Sequence, residues 1–238
     1  MRLFSWINIR LVLMFAAVIF LFSFASKRNS KRRLVSSQVV FVGENLPFLS
    51  EKTVNKLLIE NKSTPQSIGK DELDLNKLEG LLEANALIDS ANVFVSIDGM
   101  LKAVVKQKDP IARVFEGDGS FYIDYKGNTM PLSANYTARV LLVSGKVKEN
   151  NRLHKVLRLI YDDSFLKKNI ISIQIMSNGS LLMLNRNYDY KIDFGGMVNV
   201  EKKFKNYKAF FQKAVLDSSL FKYKKIDLRF TQQVVCTK

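Results

Sequence analysis

The chain has 238 residues with 47% apolar content, enough for one or two domains with a real core. Its net charge of +15 is not one uniform surface: residues 1–33 hold seven basic residues and no acidic ones, leaving 30 basic against 22 acidic, or +8, for the rest. The remaining lysines fall in small clusters without an interleaved aromatic platform, which argues against a nucleic-acid footprint. The single cysteine, Cys236, excludes an intramolecular disulfide and a cysteine-based metal site.

The first element is the uncharged run "LVLMFAAVIFLFSFAS" at 11–26. As a helix it reaches roughly 24 Å, a little short of a bilayer core. Arg10 can snorkel, so a transmembrane helix over 9–26 is expected, with Trp6 as an interfacial anchor and residues 1–8 as a cytoplasmic tail. The competing reading is a cleavable signal peptide with Ser23-Phe24-Ala25 as its small-x-small site. Lys27, Arg28, Lys31, Arg32 and Arg33 follow the span and by charge alone favour a cytoplasmic location for the remainder.

Residues 27–37 read as a basic tether. "QVVFVG" is a strand, and Ser50 caps a short helix with Val54, Leu57 and Leu58 on one face. "KSTPQSIGKDE" is a polar loop. Asp74 caps a second helix, "DLNKLEGLLEANAL", with Leu75, Leu78, Leu81 and Leu82 on its stripe. The period then changes from 3.6 to 2, and Asp98-Gly99 between two alternating runs predicts a hairpin with a type I′ turn. Residues 38–107 therefore predict a β-α-α-β-β unit.

Pro110 in "KDPIARVFE" marks a boundary or a sheet edge. Beyond it, residues 108–238 predict a mainly antiparallel sheet backed by helices. Hairpins turn at Lys126-Gly127-Asn128 and Ser177-Asn178-Gly179. One helix carries Leu153, Val156, Leu157 and Ile160, and another Val200, Phe204, Tyr207, Phe211 and Val215. Ile226, Leu228, Phe230, Val234 and Cys236 share one parity, so "IDLRFTQQVVCTK" predicts one closing strand, lying either inside the sheet or at its edge. The fold class is α+β.

No constellation for catalysis emerges. His154, the only histidine, sits on a Leu-rich helix and lacks partners at triad or zinc spacing. "VSGK" at 143–146 lacks the upstream glycine of a phosphate loop. Asp162-Asp163 reads as a solvated helix end and Cys236 as a packed hydrophobe. No catalytic, cofactor or metal residue is assigned.

The β-α-α-β-β unit, the junction "KDPIARVF", the Asp-x-x-Gly hairpin in "YIDYKGNTMPLS", and "VEKKFKNYKAFFQKAV" followed by "YKKIDLRFTQQVVCTK" together resemble the FtsQ/DivIB family of bacterial cell-division proteins, closest to its Bacteroidetes version. That resemblance implies a POTRA domain over 38–107 and a β domain over 108–238. It implies a non-enzymatic, single-pass type II inner-membrane scaffold of the divisome, its bulk periplasmic. Expected partners are FtsB- and FtsL-type membrane proteins and, through the N-terminal helix, lipid; no cofactor, nucleic acid or small-molecule substrate is expected. Partner binding is assigned to the closing strand, with Phe230, Thr231, Gln232, Gln233, Val234 and Val235 offering the ladder. Two alternatives fit parts of the pattern: an outer-membrane assembly or secretion component, since POTRA units occur there too, and a basic protein secreted after signal cleavage.

Overall fold

The computed structural model describes residues 6–30, 34–43, 46–59, 73–147 and 151–238. The loop expected over 62–72 and Lys31, Arg32 and Arg33 of the tether lie outside the described residues. The chain divides into two compact units at Gln107/Lys108, with Leu46–Phe48 counted in the second.

The apolar run forms α1 (Trp6–Ser30). Within it, Asn8–Arg28 is long and apolar enough to cross a membrane, with a mean hydropathy of 2.3. The helix runs on through Lys27 and Arg28, so the first part of the expected tether is helical.

The rest of the first unit comprises β1 (Ser36–Val42), α2 (Glu51–Ile59), α3 (Leu75–Glu83), β2 (Ile88–Val95) and β3 (Met100–Gln107). The sheet order is β1-β3-β2, with β1 parallel and β2 antiparallel to β3. Ser50 Oγ accepts from the Thr53 N–H at 3.2 Å, and Asp74 Oδ1 from the Lys77 N–H at 3.0 Å, satisfying helix-start donors as expected of caps. On α2, Val54 and Leu58 are buried. On α3 only Leu82 is fully buried, while Leu75, Leu78 and Leu81 are half-buried. The helix stops at Glu83, earlier than the sequence suggests, because Asn85 turns the chain: its Oδ1 accepts from the Leu87 N–H at 3.0 Å.

The hairpin at Asp98-Gly99 is present, but its turn is not type I′. Only Gly99 has positive φ (87°); Asp98 is not among the positive-φ residues. Gly99 N–H donates to the Ser96 carbonyl at 3.0 Å, and Ser96 N–H to the Met100 carbonyl at 2.9 Å. This is a type I-like turn closed by a left-handed glycine. The same bond pair recurs at Asp124–Asn128 and at Met176–Ser180, with Gly127 and Gly179 in the glycine position. In the second turn, buried Asp124 also accepts from the Asn128 N–H at 2.8 Å, which accounts for the Asp-x-x-Gly spacing.

The second unit contains β4 (Pro110–Glu116), β5 (Gly119–Asp124), β6 (Thr129–Met130), β7 (Leu141–Ser144), α4 (Asn151–Asp162), α5 (Ser164–Asn169), β8 (Ile170–Ile175), β9 (Leu181–Asn185), β10 (Lys191–Gly195), α6 (Val200–Leu216), β11 (Lys225–Asp227) and β12 (Val235–Thr237). They form one sheet of order β12-β11-β10-β9-β8-β7-β4-β5-β6. It is mixed: β7 is parallel to β4 and β8, and β10 to β11, the other pairs being antiparallel. Pro110 does not mark an edge. It opens an interior strand beside a register shift, a position that needs no ladder donor.

Both helical crossovers, β7-α4-α5-β8 and β10-α6-β11, step the same way along the sheet, so right-handed connections put their helices on one face. Burial agrees. Val114, Val143, Ile173, Met183, Ile192 and Ile226 align across the ladder in one fully buried row. In the neighbouring row Leu142, Leu184 and Lys191 are exposed and Arg113, Ser172 and Lys225 half-buried.

Candidate functional site

The closing segment is not one strand. Ile226 lies in β11, Cys236 in β12, and residues 228–234 connect the two. Phe230, Thr231, Gln232, Gln233 and Val234 therefore sit in the connection, and only Val235 of the residues assigned to partner binding is in a strand. The parity pattern misleads because Leu228 is buried, as a strand residue would be, while the chain is already turning.

Three anchors hold the connection. Leu228 N–H donates to the Asp193 carbonyl at 2.8 Å, extending the β10–β11 register by one peptide. Arg229 folds back on Asp227: its backbone N–H and its Nε both reach Asp227 Oδ1 at 3.0 Å. This Arg229 hydrogen bonding, together with charge attraction, holds the Asp227 carboxyl below the usual range despite partial burial. Asn206 Nδ2, on α6, donates to the Thr231 carbonyl at 3.0 Å. Asp193 adds a bridge to Lys225 at 2.8 Å and lies 3.6 Å from Arg229.

The base of the hairpin leans on the β10–α6 turn. Gly195 has φ of 68°, and a Cβ there would lie 2.6 Å from Arg229 Cγ, so glycine is required on both counts. Lys203, 4% exposed, was not singled out by the sequence. Its Nζ donates to the carbonyls of Phe194 and Gly196, each at 2.8 Å. Burial lowers its pKa, with Asp193 and Asp227 opposing. The spacing offered a hint: Lys203 shares the inward face with Val200, Phe204 and Tyr207. Val215, expected on that stripe, is 45% exposed, and Ala214 is buried in its place.

β12 is the outermost strand of the sheet. Lys191 N–H donates to the Lys224 carbonyl and Leu228 N–H to the Asp193 carbonyl, so the backbone groups of 226 between them serve β10, while the Lys224 N–H turns to β12 and donates to the Thr237 carbonyl at 2.8 Å. Residues 225 and 227 then face β12, opposite Thr237 and Val235. By alternation the Cys236 N–H and C=O point away from the sheet. Its thiol sits on the core side beside Ile226, half-buried, and burial pushes its pKa up.

Elsewhere, His154 Nε2 is 3.1 Å from the Tyr125 carbonyl, Asp163 caps α5, and Gly145 ends β7 within close reach of the Ile175 carbonyl. Among the described residues no group of three His, Cys, Asp or Glu side chains is placed to hold a metal.

These features define a mixed α+β protein with an N-terminal apolar helix and, among the described residues, an unpaired edge at its last strand. A family model described as FtsQ/DivIB, C-terminal related, matches residues 109–237, just over half the chain and nearly all of the second unit. The chain belongs to this FtsQ/DivIB-related family. Membership places it among non-enzymatic, membrane-anchored proteins of the cell-division machinery that act through protein–protein contacts. No curated protein matches the chain.

Proposed function

We propose that this protein is a bitopic scaffold of the divisome that captures an FtsB- or FtsL-type membrane partner by adding a strand of that partner to β12. The first unit acts as a POTRA domain, α1 remains in the inner membrane, and both folded units lie in the periplasm. The observation that carries the reading is the outward Cys236 peptide on an edge strand whose base is braced by Asp193, Asp227, Arg229 and Asn206. A braced edge supplies backbone donors and acceptors with little ordering cost, and alternate side chains supply selectivity. The ladder centres on the outward N–H and C=O of Cys236, with Val235 facing β11 and the 230–234 connection flanking it. The basic flank from Lys27 opposes this orientation only as a bias, because a large domain translocates in spite of it.

Proline substitution at adjacent positions tests the docking edge. Cys236→Pro deletes a donor that the sheet does not use, so it is expected to abolish co-purification of the partners from detergent-solubilised membranes while leaving the thermal melt nearly unchanged. Val235→Pro removes a donor facing β11 and is expected to open the hairpin. Partner capture by Cys236→Pro at the parent level refutes the docking edge. Labelling of Ser177→Cys in a Cys236→Ser background with a membrane-impermeant maleimide tests the orientation; protection in intact spheroplasts refutes a periplasmic location.

A further inference from the structure

The first unit has its own sheet edges, and one of them is occupied. Ser96 N–H bonds to Met100, so the peptides of 90, 92 and 94 also face β3, and those of 91, 93 and 95 face outward. Two of these outward donors are taken by α3. Glu79 Oε1 accepts from the Val93 N–H at 2.7 Å, and Glu83 Oε1 from the Ala91 N–H at 3.2 Å. The spacing explains the fit. Residues four apart on a helix are separated by about 6 Å along its axis. Successive outward peptides of a strand are separated by about 6.7 Å. The order runs oppositely, 79 to 93 and 83 to 91, so α3 lies antiparallel to β2 and stands where a further strand would go. Ionised carboxylates only accept hydrogen bonds, so they match a row of free N–H groups.

β2, "IDSANVFV", carries no edge protection of its own. It has no Lys or Pro, and its one charge, Asp89, sits at the register shift, 3.5 Å from Lys106 Nζ. Two copies meeting antiparallel at 91–95 would bring Ala91, Val93 and Val95 together on one face and Asn92 and Phe94 on the other, with no like-charge pair. We propose that Glu79 and Glu83 make α3 a cover over the β2 edge, and that this cover keeps two copies of the chain from pairing through β2. The proposal is independent of the docking role assigned to β12.

The test uses the full chain in detergent micelles. Glu79→Ala/Glu83→Ala removes both acceptors without weakening the helix, since alanine is the best helix former. Glu79→Gln/Glu83→Gln keeps an acceptor oxygen at each position. In dilute samples the Ala91 and Val93 amides of the alanine variant are expected to exchange about tenfold faster than in the parent, while Asn92 and Phe94 amides keep their rates. In concentrated samples its protein mass by light scattering is expected to double. The glutamine variant is expected to follow the parent in both measurements. Unchanged exchange or an unchanged mass in the alanine variant overturns the proposal. So does deprotection that spreads to Asn92 and Phe94, which would make the glutamates holders of the fold, and so does a glutamine variant that dimerises like the alanine one.

Discussion

Replacing Gly195 by Ala perturbs the base of the C-terminal hairpin in two separable ways. The φ of 68° puts the new side chain in the left-handed region, which costs an L-residue about 1–2 kcal/mol. The new Cβ also overlaps Arg229 Cγ, 2.6 Å away, so the arginine stem must swing off Gly195 and pull its guanidinium from Asp227 and Asp193. Opening of the hairpin is read locally, from exchange of the Leu228 amide that donates to Asp193, because a two-unit chain has no single unfolding free energy. The conformational cost alone corresponds to an acceleration of roughly 5- to 30-fold, and the displaced arginine adds to it. Arg229→Ala removes the overlap in advance, so Gly195→Ala/Arg229→Ala is expected to cost less than the sum of the single variants. Leu228 exchange within twofold of the parent in Gly195→Ala, or strict additivity in the double variant, refutes the packing described here.

Two further outcomes follow from burial and charge. Leu82→Ala, at 0% exposure, is expected to destabilise the first unit by about 2–5 kcal/mol. Half-buried Leu78→Ala is expected to cost about 1–2 kcal/mol; equal acceleration of the Ala103 amide in both variants would put the helix stripe on the wrong residue. Because Arg229 depresses the Asp227 pKa, its stabilisation of the hairpin is fully present above the ordinary carboxylate value near ~3.9 and is lost as pH falls through the lower folded value. The opening free energy of Leu228 should therefore be flat from neutral pH to about pH 4 and drop below it, and Asp227→Asn should abolish that drop.

The sequence made the architecture legible wherever one physical signal dominated. The apolar run gave α1, Ser50 and Asp74 gave two helix starts, and the glycines at 99, 127 and 179 located three hairpins. The turn type was misread because Asp-Gly suits I′ and type I-with-glycine turns alike, and only the bond from Gly99 to Ser96 separates them. The parallel pairing of β7 and β11 was not legible. Strands of four and three residues are too short for periodicity to report pairing sense, which follows from the helical crossovers after β7 and before β11. Lys203 was hidden by its residue type, since burial of a lysine depends on two carbonyls that only the folded β10–α6 turn presents.

The closing segment shows why an edge is harder to read than a core. Alternation reports which side chains are buried, and it does so for Ile226, Leu228 and Cys236. It says nothing about where each backbone N–H points, and that direction decides whether a strand can take a partner. In this fold the answer at both edges comes from side chains outside the strand. Asn206 on α6 and the Asp193–Arg229 pair hold the 228–234 connection in place, leaving the Cys236 peptide of β12 outward. Glu79 and Glu83 on α3 fill the outward donors of β2. The two edges carry equally uncharged strand sequences, "VCT" and "IDSANVFV" apart from Asp89, so strand composition alone does not distinguish them. The neighbouring helix makes the distinction: α6 braces a connection and leaves the edge beyond it unpaired, whereas α3 lays two carboxylates along the edge itself.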